Sequence, residues 1–455
     1  IISGAYEIGS HLAKLLSRNN HDIILMDENE ERLNSIGSDY DLLTMHASPT
    51  SLKALKQAGA AEADLYIAVT PDENMNMNSC VMAKAVGAKR TVAKVNNYEF
   101  VEPEMSKFYE KLGIDSLIYP ENLAAYDIVN GLKMSWVRQR WDVHGGALVM
   151  LGIKLRETCE ILNKPLKELC KPDSPYYIVA IKRGGETVIP RGDDELKMYD
   201  MAYFMTTKQY IPYVRKIVGK EHYVDVKNVM IMGGGNTAVR ALKSMPEYMN
   251  AKIIENSEER CDFLNEQIDD KHVMVINGDG RDLSLLNEEG IHSTQAFVAL
   301  TNIDEENVLL TLFAKKHSNG KLVTKVNRLE FDDILAGLDL GSVVYPKYMT
   351  CDYIVQYVRA LQNEAGSNIK TLYRILDDRV EALEFTVHEE SAATGVPLSQ
   401  LHLKKNLLLC CITRGHQILI PRGGDQIQVG DNVIVVTLEH GLHDLRDILD
   451  KGAEG

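Results

Sequence analysis

Short apolar runs alternate along the chain with longer stretches whose apolar positions recur every three or four residues. Runs at 22–26, 42–45, 65–69 and 91–95 read as strands, and the stretches between them read as amphipathic helices. The same alternation returns at 228–232, 252–255, 273–276, 296–300 and 322–326. Strands alternating with helices predict a parallel sheet covered by helices on both faces. In each half a helix follows, at 122–133 and 350–361, entered from Tyr119-Pro120 and Tyr345-Pro346. Beyond it lies a smaller unit of turns and short strands, about 145–219 and 380–450, with strands at 177–182 and 433–437.

The two halves are copies of one another. The AVT-like segment at Thr70 recurs at Thr301, and VIPRGDDELKMYD at 188–200 recurs as LIPRGGDQIQVGD at 419–431, both at an offset of 231. LAKLLSRNNHDIILMDENEERL at 12–33 parallels 239–261 at an offset near 228. Self-similarity on this scale marks a tandem duplication, joined near His222. The expected fold is α/β, with two tandem repeats of a Rossmann-like doubly wound lobe followed by a crossover helix and a small α+β lobe. The boundaries fall at 1–120, 121–141 and 142–221, then 225–346, 347–365 and 370–455.

Composition narrows the function classes. Of 455 residues 45% are hydrophobic and 25% charged, which is ordinary for globular domains and argues against disorder. A net charge of −15 is the wrong sign for a phosphate-backbone binder, so nucleic acid is not an expected partner. The longest apolar runs, such as 407–412, are strand-length and too short to span a bilayer. Seven cysteines without a Cys-x-x-Cys spacing read as reduced core thiols of a cytoplasmic protein. The opening at Ile1, without Met or a charged signal region, suggests that a few residues precede it.

The chemistry sits at strand-to-helix turns. NVMIMGGGNTAVRAL places Gly233, Gly235 and Ala238 in a G-x-G-x-x-A pattern between a strand and a helix, with Asn236 opening that helix. In this pattern the first glycine makes the tight turn and the second lets the backbone approach a pyrophosphate. The small third residue lets helix pack on strand. The phosphate then meets the unpaired N–H groups of a helix N-terminus. Glu255 ends the next strand, 17 residues after Ala238, where a carboxylate can accept from ribose hydroxyls. The first half keeps Gly4 and Gly9 but has Tyr6 at the middle glycine, and Asp27 ends its second strand 18 residues after Gly9. An acid at the ribose position in both halves favours NAD or an adenosine nucleotide over NADP. Glycines serving only a tight turn are the plain alternative.

Further polar residues fall at strand C-termini: Asp279, Thr301, Asn302, Asn307, Lys325 and Asn327 in the second half, and Thr70, Asn74, Lys94 and Asn96 in the first. HASP at 46–49 lacks a partner for the Gly278-Asp279 pair. Asn and Thr here can equally be turn formers or helix caps. Lys94 and Lys325 lie inside apolar strands, where a buried ammonium needs an anion. The acidic runs at 193–195 and 304–306 are read as solvated loops or caps, and no metal is assigned.

Together these residues resemble the TrkA family, whose members are cytoplasmic regulatory subunits of bacterial Trk potassium uptake systems, and the match spans essentially the whole chain. Each half looks like an RCK (regulator of potassium conductance) unit. It has a TrkA-N lobe with the glycine turn, an acid after strand two and an AVT-D-x-x-N-like segment, then a TrkA-C lobe with IPRGDD-like and GD-like turns. Gly233, Gly235, Ala238, Glu255 and Asp279 match, as do Gly4, Gly9 and Asp27; Tyr6 and HASP depart from the pattern. The resemblance implies binding of NAD(H), and in relatives ATP or ADP, as signals rather than substrates. It implies a ring, a tetramer of tandem chains, docked on a Trk-type integral membrane subunit that translocates potassium. The location it implies is peripheral, on the inner face of the plasma membrane.

The expected mechanism is a nucleotide-driven change of angle between Rossmann lobes, which requires unequal affinity for two conformations. The helices at 122–133 and 350–361, with apolar positions Leu123, Ile128, Val129, Ile354, Val355 and Val358, are expected to pack lobes together. Two other readings remain. One is an RCK-type regulator of another potassium channel or antiporter. The other is an NAD-dependent dehydrogenase, which the same turn could serve. A catalytic acid-base arrangement for the latter is not evident among the 13 scattered His, and Gly-x-Ser-x-Gly, His-Glu-x-x-His and Walker lysine motifs are missing.

Overall fold

The computed structural model describes residues 1–450 except 19–20, 37–39, 172–173, 185, 224, 269–270, 329–334, 336–337, 365–368, 376–379, 416, 440–441 and 443. The end of the expected second crossover segment, residue 365, lies outside the described residues.

The first lobe runs β1 (Ile2–Ser3), α1 (Glu7–Ser17), β2 (Ile24–Asp27), α2 (Glu30–Asn34), β3 (Leu43–His46) and α3 (Leu52–Gln57). It continues through β4 (Leu65–Ala68), α4 (Glu73–Val86), β5 (Arg90–Lys94), α5 (Pro103–Lys111), β6 (Ser116–Ile118) and α6 (Pro120–Leu132). Polar side chains fix where the helices start. Asn29, Ser51 and Asp72 cap α2, α3 and α4 by accepting from backbone N–H groups of the first turn, and Gly87 at φ 132 ends α4. The strands form one parallel sheet in the order β3-β2-β1-β4-β5-β6. Its inner strands are buried on both faces, which explains their continuous apolar runs.

A smaller lobe follows: β7 (Gln139–Val143), β8 (Leu148–Lys154), α7 (Leu166–Leu169), β9 (Tyr176–Arg183), β10 (Glu186–Val188), β11 (Met201–Thr206) and α8 (Ile211–Ile217). The second large lobe is β12 (Asn228–Met232), α9 (Asn236–Ser244), β13 (Asn250–Glu255), α10 (Glu258–Gln267), β14 (Val273–Asn277) and α11 (Leu283–Glu288). It closes with β15 (Ala296–Ala299), α12 (Asp304–His317), β16 (Lys321–Lys325), β17 (Ser342–Val344) and, as the crossover helix, α13 (Pro346–Glu364). The last lobe is β18 (Ile369–Ile375), β19 (Val380–Thr386), β20 (Leu407–Arg414), β21 (Gln417–Leu419) and β22 (Asn432–Thr437).

The copies share topology as well as sequence. The second large sheet is parallel in the order β14-β13-β12-β15-β16-β17, and the small sheets read β10-β9-β11-β8-β7 and β18-β19-β22-β20-β21. Those two orders match once β18 is set against β7. Although the lobe types alternate along the chain, like gathers with like. Residues 1–129 and 226–355 form one unit, and 130–225 and 356–455 form another.

In the unit of small lobes the two sheets share a core, with Met150, Val179 and Tyr203 of one packed among Ala382, Cys411 and Ile434 of the other. His144 Nδ1 sits 2.6 Å from the buried carboxylate of Glu384 across this seam. In the repeated IPRG turns the Arg191 N–H donates to Asp194 and the Arg422 N–H to Asp425, each at 2.6 Å, and the aspartates that end the two repeated segments are structural. Arg183 grips the buried Asp200 through two bonds, 2.9 and 2.7 Å, and Arg414 grips Asp431 at 2.8 Å twice. All seven cysteines are free, and all but the half-buried Cys170 are buried. No helix among the described residues is long and apolar enough to cross a membrane.

Candidate functional site

Both glycine turns have one backbone. Gly4 and Gly233 stand at φ 100 and 93, conformations that L side chains rarely adopt. A Cβ on Gly4 would meet the Thr70 backbone N at 2.9 Å, and one on Gly233 the Thr301 backbone N at 3.0 Å. The first glycine is therefore demanded by the fold in both lobes. The middle position is different. Gly235 caps α9 at φ −65, ψ 178, and Tyr6 caps α1 at φ −80, ψ −176, both ordinary extended backbone. A Cβ on Gly235 meets nothing within 4 Å. Nothing in the fold requires Gly235, and a tyrosine stands at the matching point of the first lobe without altering the turn.

The acids at the ends of the second strands fasten these turns. Asp27, 4% exposed, accepts from the N–H of Ala5 (2.7 Å) and of Asn29 (2.8 Å). Glu255 accepts from the N–H of Gly234 (2.7 Å) and of Ser257 (2.9 Å). Each carboxylate holds turn and strand end together.

In the second lobe the turn opens on a cavity of about 220 Å³ lined by Gly233, Gly234, Gly235, Glu255, Asp279, Thr301, Asn302 and Glu306, with Met232, Ile254, Leu300 and Leu310 as apolar walls. Asp279 is clasped by the Arg281 guanidinium (2.9 and 2.8 Å), which with the Arg281 N–H holds its carboxyl down at about 2. Thr301 takes its place through Asn307. The Asn307 side-chain oxygen accepts from the N–H and hydroxyl of Thr301, each at 2.8 Å, and its amide donates to the carbonyls of Thr301 and Lys325. In the first lobe Thr70 is held in the same way by the buried Asn76. The counterpart of Asn307 is therefore Asn76 and not the exposed Asn74, a two-residue slip in the sequence comparison: Asn74 belongs to the Asp72 cap instead.

Of the other expected residues, Ala238 is fully buried behind the turn. Gly9 permits an approach in which a Cβ would lie 1.8 Å from the Gly4 carbonyl oxygen. Asn236 faces Arg260, whose guanidinium donates to Asn236 Oδ1 (3.0 Å) and to the Gly234 carbonyl (2.7 Å). Lys94 and Lys325 are not on the cavity wall. Their ammonium groups lie in the field of Glu121, at the start of α6, and burial lowers the affinity of both for protons. Their ammonium groups donate to Asn96 and Asn302, and the carboxylates nearby, Glu73 for Lys94 and Asp304 for Lys325, add to the field of Glu121. Asp304 of the 304–306 run holds the N–H groups of Asn327 and Arg328, and Asp193 pairs with Lys167.

Sequence reasoning missed three features. Arg32 and Arg260, equivalent in the EER segments of the repeat, both reach the turn region: Arg32 pairs with Asp27 at 3.2 Å and lies over the Tyr6 ring at 3.9 Å. Their recurrence in the repeat was the available signal. The second is which lobe each crossover helix packs on, since the expected packing of lobes by these helices is present but crosswise. Tyr119, just before α6, lies beside Asn236 of the other large lobe, and Ala125 and Val129 of α6 pack on Ala241 of α9. Reciprocally, α13 lies on α1: Lys347 pairs with Glu7, the Tyr348 ring meets His11 at 4.8 Å and Cys351 reaches the Ile8 carbonyl. The third is Arg240, stacked 3.6 Å over Tyr98 of the first lobe.

Two parallel-sheet lobes with glycine turns, each turn covered by the other lobe's crossover helix, define a tandem protein of RCK type. The TrkA-N domain model matches residues 1–120 and 229–346 and the TrkA-C domain model matches 382–450, so the chain belongs to the TrkA family. The Trk system potassium uptake protein TrkA homolog of Archaeoglobus fulgidus is 28% identical over 436 residues, covering 96% of both chains. The Trk system potassium uptake protein TrkA of Haemophilus influenzae is 28% identical over 444 residues, covering 96% of this chain and 94% of its own. Among solved structures the GsuK channel is similar with a TM-score of 0.59 at 18% identity, over 96% of this chain and 76% of that one. The GsuK channel bound to NAD is similar at 0.57, with the same identity and coverage. At such identity the likeness is one of fold.

Proposed function

We propose that this chain is the nucleotide-sensing regulatory subunit of a Trk-type potassium uptake system, and that its second cleft binds NAD(H), or ADP or ATP, as a signal. The observation that carries this reading is Gly235: a glycine that the fold does not need, bordering a cavity beside Glu255, at the point where a pyrophosphate would meet the start of α9. Membership of the TrkA family supplies the transport context.

In this reading four chains form a ring on the cytoplasmic face of a Trk-type membrane subunit, and the small lobe at 142–221 acts as a first TrkA-C copy. The chain senses and does not catalyse. A nucleotide shifts the ring only as far as it prefers one lobe arrangement over another. The crossed helices make such a preference physical, because Ala125 and Val129 of α6 pack on α9, the helix whose start the phosphate would meet. The test is potassium flux through the reconstituted membrane subunit with wild-type chain or Gly235→Tyr, with and without NADH and ATP. The reading expects nucleotide-dependent flux with wild type that the variant abolishes; flux indifferent to nucleotide and to the variant overturns it.

A further inference from the structure

The two clefts differ at several points, and in the first lobe two of the replacements in the turn are engaged by other side chains. Tyr6 stands where Gly235 stands and Glu7 where Asn236 stands. The Tyr6 ring is capped by Arg32, 3.9 Å from its centroid, and Arg32 in turn is bonded to Asp27. Glu7 is the first residue of α1 and its carboxylate is paired with Lys347, the second residue of α13.

We infer that Glu7 and Lys347 form an internal latch that closes the first cleft to nucleotide and leaves one site per chain. The inference rests on the nucleotide reading of the second cleft. Its physical basis is substitution of charge. In an open glycine turn a helix N-terminus presents unpaired N–H groups and a positive dipole end to a phosphate. Here a carboxylate already stands in that first turn and already has its cation, so an incoming pyrophosphate meets a like charge together with a phenol where the second lobe has open space. The ribose end is closed as well, because Arg32 joins the Asp27 carboxylate to the Tyr6 ring. The latch also has a mechanical side. Lys347 belongs to α13, which leaves the second large lobe, and Tyr348 and Cys351 on the same helix rest on His11 and Ile8 of α1. The first lobe is thereby held as a fixed seat for that helix, while in the second lobe the uncharged Asn236 stands where Glu7 stands in the first.

The test is the stoichiometry of NADH binding to the full chain by calorimetry, with wild type and with a double variant, Tyr6→Gly with Glu7→Asn, which gives the first turn the residues of the second at those two points. One site per chain in wild type and two in the double variant support the latch. Two sites in wild type overturn it, as does a folded double variant still limited to one. If the double variant does not fold, wild type decides: one site lost on Gly235→Tyr supports the latch, and one site retained overturns it. No binding by wild type would defeat the nucleotide reading itself, and the double variant then judges the latch alone, a gained site keeping it and none overturning it.

Discussion

The backbone N–H of Gly234 donates to Glu255 Oε2 at 2.7 Å, and this bond ties the glycine turn to the end of the neighbouring strand before any ligand arrives. Its twin in the first lobe joins Ala5 to Asp27 over the same distance. The acid commonly assigned to the ribose thus has a structural task in both lobes, and so it survives in the first, where the turn has otherwise departed from the binding pattern. Replacing Asp27 by Ala strands two backbone donors and Arg32 in a largely buried place. Charge-assisted bonds of this kind are worth about 1.5–3 kcal/mol each, so the unfolding free energy should fall by at least that much in a urea titration. A change within about 0.5 kcal/mol would contradict the assignment.

Gly233 and Gly235 of the second turn should separate fold from function. Gly233→Ala places a Cβ at positive φ against Thr301, and should cost about 1–3 kcal/mol of stability by thermal or urea unfolding. Gly235→Ala, in open space at φ −65, should stay within about 0.5 kcal/mol of wild type.

Glu121 should give the unit of large lobes a pH signature. Burial raises its proton affinity more than the nearby Lys94 and Lys325 ammonium groups lower it. A carboxyl raised in the folded state contributes its stability fully below the unfolded value, about 4.3, and loses it as pH rises towards the folded value. Wild type and Glu121→Gln should therefore have similar thermal midpoints near pH 4, and the variant should gain on wild type as pH rises above that range. A constant difference across the range would refute the placement of Glu121.

In the small lobes, Asp431→Ala removes both Arg414 bonds and the acceptor for the Gln428 N–H from a carboxylate that is 1% exposed. The loss should be about 2–3 kcal/mol. Both tryptophans, Trp136 and Trp141, lie in the unit that contains these lobes, so tryptophan fluorescence during urea unfolding reports it directly.

Much of this was legible in the sequence because periodicity and turn chemistry are local. The alternating strands, the first glycines and the acids at 27 and 255 follow from short-range rules, and the repeat supplies each of them twice. Short strands such as β6 and β17 carried too few residues for a pattern to register. The alternating order of lobe types along the chain gave no sign that like lobes would pair, because that pairing depends on contacts hundreds of residues apart, such as Lys347 with Glu7. Lys94 and Lys325 were legible as cations in need of an anion, yet Glu121, whose field reaches both, sits on a different element and outside any motif. Asn76 and Asn74 show the limit of comparing halves by eye: the offset of 231 already sets Asn76 opposite Asn307, and the bonds to Thr70 bear that match out.

The central claim is that the second glycine turn is the nucleotide site, and the most direct measurement is an NADH fluorescence titration of the full chain beside its Gly235→Tyr variant, with thermal unfolding recorded for both. The account predicts saturable binding by wild type and none by a variant that unfolds at nearly the same temperature, since a side chain at Gly235 enters open space. Equal binding by both proteins would contradict it.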